Sequence, residues 1–120
     1  MNIGVTGKNG EDVVAAFLRK KGLSVIKRNY QCRFGEIDII AETEEYIIFV
    51  EVKTRKQNSM VSAAESVDYH KQQRIMLTAE DYISKTLCEK QPRFDVAEVT
   101  TFKTDKGEKK YAINYIKNAF

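Results

Sequence analysis

The sequence has no tryptophan, one proline (Pro92), one histidine (His70) and two cysteines, Cys32 and Cys88. Three imidazole and thiol groups cannot make a four-ligand zinc site. Two cysteines are too few for a disulfide framework and read as ordinary thiols. His70 is expected on the surface, and no spacing supplies it with a nucleophile and an orienting acid, which excludes a triad. No apolar run approaches the roughly 18 residues a membrane span requires. Met1-Asn2-Ile3-Gly4 lacks the apolar stretch and cleavage site of a signal peptide. The expectation is a cytoplasmic protein with no membrane partner. No repeat, low-complexity stretch or linker interrupts the chain. Residues 1–120 are therefore read as one domain, long enough to bury a core without metal or disulfide staples.

Charge is present in quantity but unevenly placed. The net charge is only +3. Residues 1–34 carry seven Lys/Arg against two Asp/Glu, residues 35–51 carry six acids and no base, and residues 52–60 carry three bases and no acid. An acidic centre between basic flanks is the pattern of a cation site inside a phosphate-binding cleft, and also of a solvated surface with uneven charge.

Periodicity predicts the elements. Asn9 is a good N-cap, Glu11 and Asp12 suit the first turn, and Val13, Val14, Phe17 and Leu18 share one helical face. Arg19, Lys20 and Lys21 suit the last turn, and Gly22 is the stop. A strand is expected over residues 23–30, another from Glu36 to Ile40, and a third over 46–53. The run Tyr46-Ile47-Ile48-Phe49-Val50 does not alternate, so it reads as a strand buried on both faces with helices on either side. Ser62 and Glu65 form a capping box for a helix over 63–87, whose apolar face is Val67, Ile75, Met76, Ala79, Tyr82, Ile83 and Leu87. Strands near 94–102 and 110–116 close the chain, with a turn at Asp105-Lys106-Gly107. The order α-β-β-β-α-β-β is that of an α/β fold with a mixed sheet.

A hairpin centred on Glu44–Glu45 places Thr43 opposite Tyr46, Asp38 opposite Glu51 and Glu36 opposite Lys53. Strand alternation then puts Glu36, Asp38, Glu51 and Lys53 on one side, with Ile37, Ile39, Val50 and Val52 on the other. Opposed carboxylates repel, and two outcomes relieve them: protonation of one acid, or a cation between them. Hard oxygen donors without histidine or thiolate favour Mg2+ or Mn2+. With Lys53 to hold a water or phosphate, the set supports hydrolysis of a phosphodiester. On an exposed hairpin the same residues would be a solvated face with a Glu36–Lys53 pair.

Other charged residues are weighed in the same way. Arg28, Arg33, Arg55, Lys56 and Arg74 are candidate nucleic-acid contacts, silent about base sequence. Lys71 is an accessory candidate on the second helix. Tyr30 and Phe34 suit core packing better than base stacking, and Asp95 suits a structural tie to Arg93. Gly4-Val5-Thr6-Gly7-Lys8 fails as a phosphate loop. Asn2 stands where the first glycine belongs, Asn9 where Ser or Thr would ligate magnesium, and no strand is read before it.

Taken together, Gly10-Glu11, Arg28-Asn29-Tyr30, Gly35-Glu36-Ile37-Asp38-Ile39-Ile40, Phe49-Val50-Glu51-Val52-Lys53-Thr54-Arg55, Val67 with Lys71, Arg93-Phe94-Asp95-Val96 and Asn118-Ala119-Phe120 resemble the uncharacterised bacterial YraN family over nearly the whole chain. That family is similar to the restriction-endonuclease-like PD-(D/E)XK superfamily, and within it to archaeal Holliday-junction resolvases. The resemblance implies a restriction-endonuclease-like mixed β-sheet flanked by helices and an Mg2+- or Mn2+-dependent endonuclease acting on DNA, branched DNA included. It implies Asp38 and Glu51 as metal ligands with the Val52 carbonyl as a third, Glu11 joining through a water, and Lys53 orienting or activating the attacking water. A two-fold symmetric junction implies a homodimer. Val61 and Ala63 stand where the family usually has glycine and proline. The alternative is a non-catalytic nucleic-acid-binding module or a protein-interaction scaffold that keeps the fold.

Overall fold

The computed structural model describes residues 2–3, 9–56 and 67–120. Helix α1 spans Gly10–Lys20, and its N-cap is Asn9, whose side chain accepts from the Asp12 amide at 3.0 Å. Helix α2 spans Tyr69–Thr86. The strands are β1 (Asn2–Ile3), β2 (Ser24–Cys32), β3 (Gly35–Glu42), β4 (Tyr46–Lys56), β5 (Gln91–Lys103) and β6 (Lys109–Ile116). They form one sheet in the order β1-β6-β5-β4-β3-β2. The pair β4–β5 is parallel and all others are antiparallel, so α2 is the crossover between two central strands.

The expected order therefore stands, with one addition. The two-residue strand β1 pairs with β6 and precedes the Gly4–Lys8 segment, where no strand was expected. The phosphate-loop reading still fails on the identities of Asn2 and Asn9.

The core divides into two layers, one under each helix. Val13, Val14, Ala15 and Leu18 of α1 pack on Ile39, Ala41, Ile48, Val50, Ala97 and Val99. Ile75 and Ala79 of α2 pack with Ile37, Ile40, Ile47, Phe49 and Val96. Successive residues of β4 thus feed opposite layers, which is why its apolar run shows no alternation.

Three expectations are corrected. The second helix begins at Tyr69 with Asp68 as N-cap, its carboxylate accepting from the Lys71 amide at 2.9 Å. The Ser62–Glu65 capping box, and the departures at Val61 and Ala63, lie outside the described residues. Leu87 is 82% exposed rather than part of the apolar face, because it is the left-handed C-cap (φ 55°) where the chain leaves the helix. Ile37 belongs to the α2 layer while Ile39 belongs to the α1 layer, so side-chain alternation breaks between them.

That break marks where β3 leaves β4. The β3–β4 ladder runs from Glu42–Ile47 to Ile39–Val50, in the register expected from the Glu44–Glu45 centre, and stops there. Beyond it β3 stays paired with β2 back to the Cys32–Gly35 turn, and β4 stays paired with β5 out to Lys56. The two strands part, and the gap between them opens the cleft.

Candidate active site

Asp38 sits at the point of separation. Its Oδ2 accepts from the Val52 amide at 2.7 Å, so a side chain occupies the place of the next ladder bond. Glu51 is one residue earlier on β4 and is 7% exposed. Burial and the Glu51 charge push the Asp38 carboxyl up to about 6, and the Val52 hydrogen bond opposes them. Glu11 and Glu36 add smaller upward contributions, so both acids lie within electrostatic reach.

Two lysines converge on one oxygen of Glu51. Lys71 Nζ lies 3.0 Å and Lys53 Nζ 3.4 Å from Oε1. Burial and the adjacent Lys71 lower the Lys53 pKa, while Lys71, the member of the pair that keeps its proton more firmly, is raised by Lys53 and by Glu51. A cleft of about 230 Å³ runs over these groups, lined by Gly35, Glu36, Asp38, Glu51, Lys71, Arg74 and Ile75. Gly35 takes a positive φ of 151°, and an added Cβ there would meet Thr78 Oγ1 on α2.

The expected residues thus fall into two groups. Asp38, Glu51, Lys53, Glu36, Lys71 and Arg74 come together at the cleft. The Glu36–Lys53 pair does not form, because β3 has already left β4 at that level. Glu36 faces Gln31 of β2 and accepts from its Nε2 at 3.3 Å, while Lys53 turns to Glu51.

Glu11 lies within electrostatic reach of Asp38, with its Oε1 already engaged. Arg28 Nε donates to Glu11 Oε1 at 3.1 Å, Arg28 Nη2 reaches Asp12 at 2.6 Å, and Asn29 Nδ2 donates to Glu11 at 3.0 Å. Arg28, expected as a phosphate contact, is therefore a tie between α1 and β2. Arg55 pairs with Glu98 on β5 in the same way. Arg33 is exposed and stacks on Phe34, 4.7 Å from the ring centroid. Arg74 lines the cleft and donates through Nε to the Phe34 carbonyl. The Lys56 side chain lies outside the described residues.

Tyr30 packs edge-on to Tyr82 and donates its hydroxyl to Asp81, a core role as expected. Asp95 is fully buried and bound to Arg93, Tyr115 and the Asn118 amide. Two contributors had no role assigned from sequence, although both fall in segments that carry the resemblance. Asn29 adopts φ 53° and holds Glu11, a task for which the left-handed tolerance of asparagine was the physical signal. Gly10 lets α1 approach β4, since an added Cβ there would strike Thr54 Oγ1.

The donor set suits a hard divalent ion: a buried carboxylate and a second carboxyl raised by burial and by the first. Among the described residues, no three Asp, Glu, His or Cys side chains converge on one point. Such an ion would be held by Asp38 and Glu51, completed by the Val52 carbonyl and water rather than by a third side chain.

The chain matches the model of an uncharacterised protein family, UPF0102, over residues 10–99. It is 41% identical over 121 residues to a UPF0102 protein of Caldanaerobacter subterraneus, covering 100% of this chain and 98% of that one. It is 46% identical over 115 residues to one from Clostridium perfringens, covering 95% and 92%. A protein of the same designation from Alkaliphilus metalliredigens is 47% identical over 115 residues, covering 95% and 96%.

Proposed function

This chain belongs to the uncharacterised protein family UPF0102, and from the cleft shared by Asp38 and Glu51 we propose that it is a nuclease-type phosphodiesterase of the PD-(D/E)XK kind, dependent on Mg2+ or Mn2+ and acting on DNA. The observation that carries the reading is the pair itself. Burial and the charge of Glu51 hold the Asp38 carboxyl up to about 6, with two lysines on Glu51 Oε1, in an open cleft. A structural ion pair has no need of a second carboxyl kept at a cost beside the first.

Each residue has a physical task in this proposal. The Val52 amide fixes the direction of Asp38 and favours its ionised form. A bound divalent ion would polarise a phosphate oxygen and acidify a bound water. Lys53, part-buried and with a lowered pKa, holds the attacking water and accepts or returns a proton at Nζ. Arg74 on the cleft wall contacts non-bridging phosphate oxygens. Glu11 steadies the Arg28–Asn29 corner and supplies a further carboxylate within electrostatic reach of Asp38.

The test is cleavage of linear, nicked, flapped and four-way DNA with Mg2+ or Mn2+. Cleavage should vanish in Asp38→Asn and Lys53→Ala while the circular-dichroism spectrum is retained. No cleavage of any substrate by the native chain would refute the activity. A homodimer, expected for a two-fold symmetric substrate, is read by sedimentation with and without a four-way junction.

A second reading, a non-catalytic nucleic-acid-binding module, is favoured by one observation. Glu51 is already neutralised by two ammonium groups. It predicts salt-sensitive DNA binding that is unchanged by Asp38→Asn and indifferent to divalent ions.

A further inference from the structure

Glu51 receives two cations at a single oxygen. Two ammonium groups lie within 3.4 Å of its Oε1, although the side chain is 7% exposed and carries a single negative charge. A divalent ion arriving at this carboxylate would meet both at short range, and like charges at such distances inside a protein repel strongly. One of them must yield.

The two lysines are not equivalent. Lys53 stands two residues from Glu51 on the same strand, and its side chain is 26% exposed. Lys71 comes from the first turns of α2, reaches across the cleft, and is 41% exposed. Its backbone is fixed, because its amide donates to the N-cap Asp68 at 2.9 Å, but its flexible stem has solvent to move into. Arg74, three residues on, lies on the same helical face and lines the same cleft.

We infer that Lys71 is the resident counter-cation of Glu51. Its ammonium holds the carboxylate oxygen that a divalent ion would take, and arrival of the ion releases Lys71 to the cleft wall beside Arg74, where it faces an incoming phosphate. The inference rests on the proposed metal site and adds a division of labour to it. Lys53 stays with the acidic pair, whereas Lys71 exchanges places with the metal. Metal and phosphate binding then support each other, because the ion frees the cation that receives the phosphate.

Calorimetric titration of the full chain with Mn2+ alone tests this without substrate or turnover. Lys71→Met should bind Mn2+ about tenfold more tightly than the native chain, the loss of one competing ion pair. Lys71→Arg, which keeps the charge, should bind no more tightly than native. Arg74→Met removes a charge from the same cleft without touching Glu51, and should change the affinity less than about threefold. Adding Glu51→Gln to Lys71→Met should abolish the gain. Thermal melts confirm that each variant is folded.

Mn2+ binding that is equal or weaker in Lys71→Met overturns the inference and leaves the metal site standing. An equal gain in Arg74→Met also overturns it, since general charge would then be the cause. Binding in Lys71→Met but none in the native chain supports it. No binding in any variant overturns both the inference and the proposed metal dependence.

Discussion

At the scale of the residue, Asp38 carries the sharpest expectation. Its folded pKa of about 6 lies above its ordinary value of 3.8. A raised carboxyl contributes stability below the unfolded pKa, and that contribution is lost as pH rises through the folded one. Without divalent ions, Asp38→Asn should match the native chain below about pH 4 and be more stable above about pH 6, by about 2 kcal/mol. Thermal melts across that range check it; an equal or lower stability of the variant at pH 8 would refute it. Mn2+ should reverse the order by stabilising the native chain and not the variant. The nearness of Asp38 to Glu51 was legible because the hairpin centre fixes the ladder as far as Ile39–Val50, one residue short of both; the parting of the strands at that point was not. Lys71 on Glu51 was not, because nothing in a strand pattern states which turn of a crossover helix lies over which strand. The Arg28–Glu11 tie was hidden for a similar reason: a basic residue looks the same in sequence whether it faces phosphate or a carboxylate.

At the scale of the element, the approach of α1 to β4 places Glu11 near the cleft. Gly10→Ala should lower stability by about 1–3 kcal/mol through its collision with Thr54. Thr54→Ala should recover most of that loss in the double variant, and a urea-melt cycle that shows simple additivity would refute the contact. The start of α1 was legible because cap, acidic first turn and apolar face all agree at Asn9. The start of α2 was not. Asp68 competes with a good capping pattern at Ser62, and the deciding fact is tertiary: Asp68, not an earlier residue, caps the helix that lies over the sheet. Leu87 misled for the opposite reason, since periodicity cannot see that a helix has already ended.

At the scale of the whole molecule, charge and sheet order govern behaviour. Three carboxyls, Glu36, Asp38 and Glu51, line the cleft beside Lys71 and Arg74, so DNA affinity should rise when a divalent ion offsets the carboxyls and fall with monovalent salt. Fluorescence anisotropy with Ca2+ reads this, and affinity indifferent to the divalent ion would count against the cleft as the DNA site. The central network is equally exposed to test. Asp95→Ala leaves Arg93, 12% exposed, without its partner and should cost about 3–5 kcal/mol in a urea melt. The run 46–50 made the buried central strand legible, but not its parallel partner, which is set by the crossover rather than by either strand's own pattern. That crossover bears on how the cleft can be lost. Glu51 and Val52 lie on a strand paired along its length with β5, a segment remote in sequence, and the Val52 amide is bound by Asp38. The strand is lost only with the sheet, but that amide is freed as soon as the Asp38 side chain swings away. Its exchange rate, set against that of the β4–β5 ladder, is therefore a gauge of one carboxylate's motion: an ion that fixes Asp38 should slow that single amide by more than it slows the ladder.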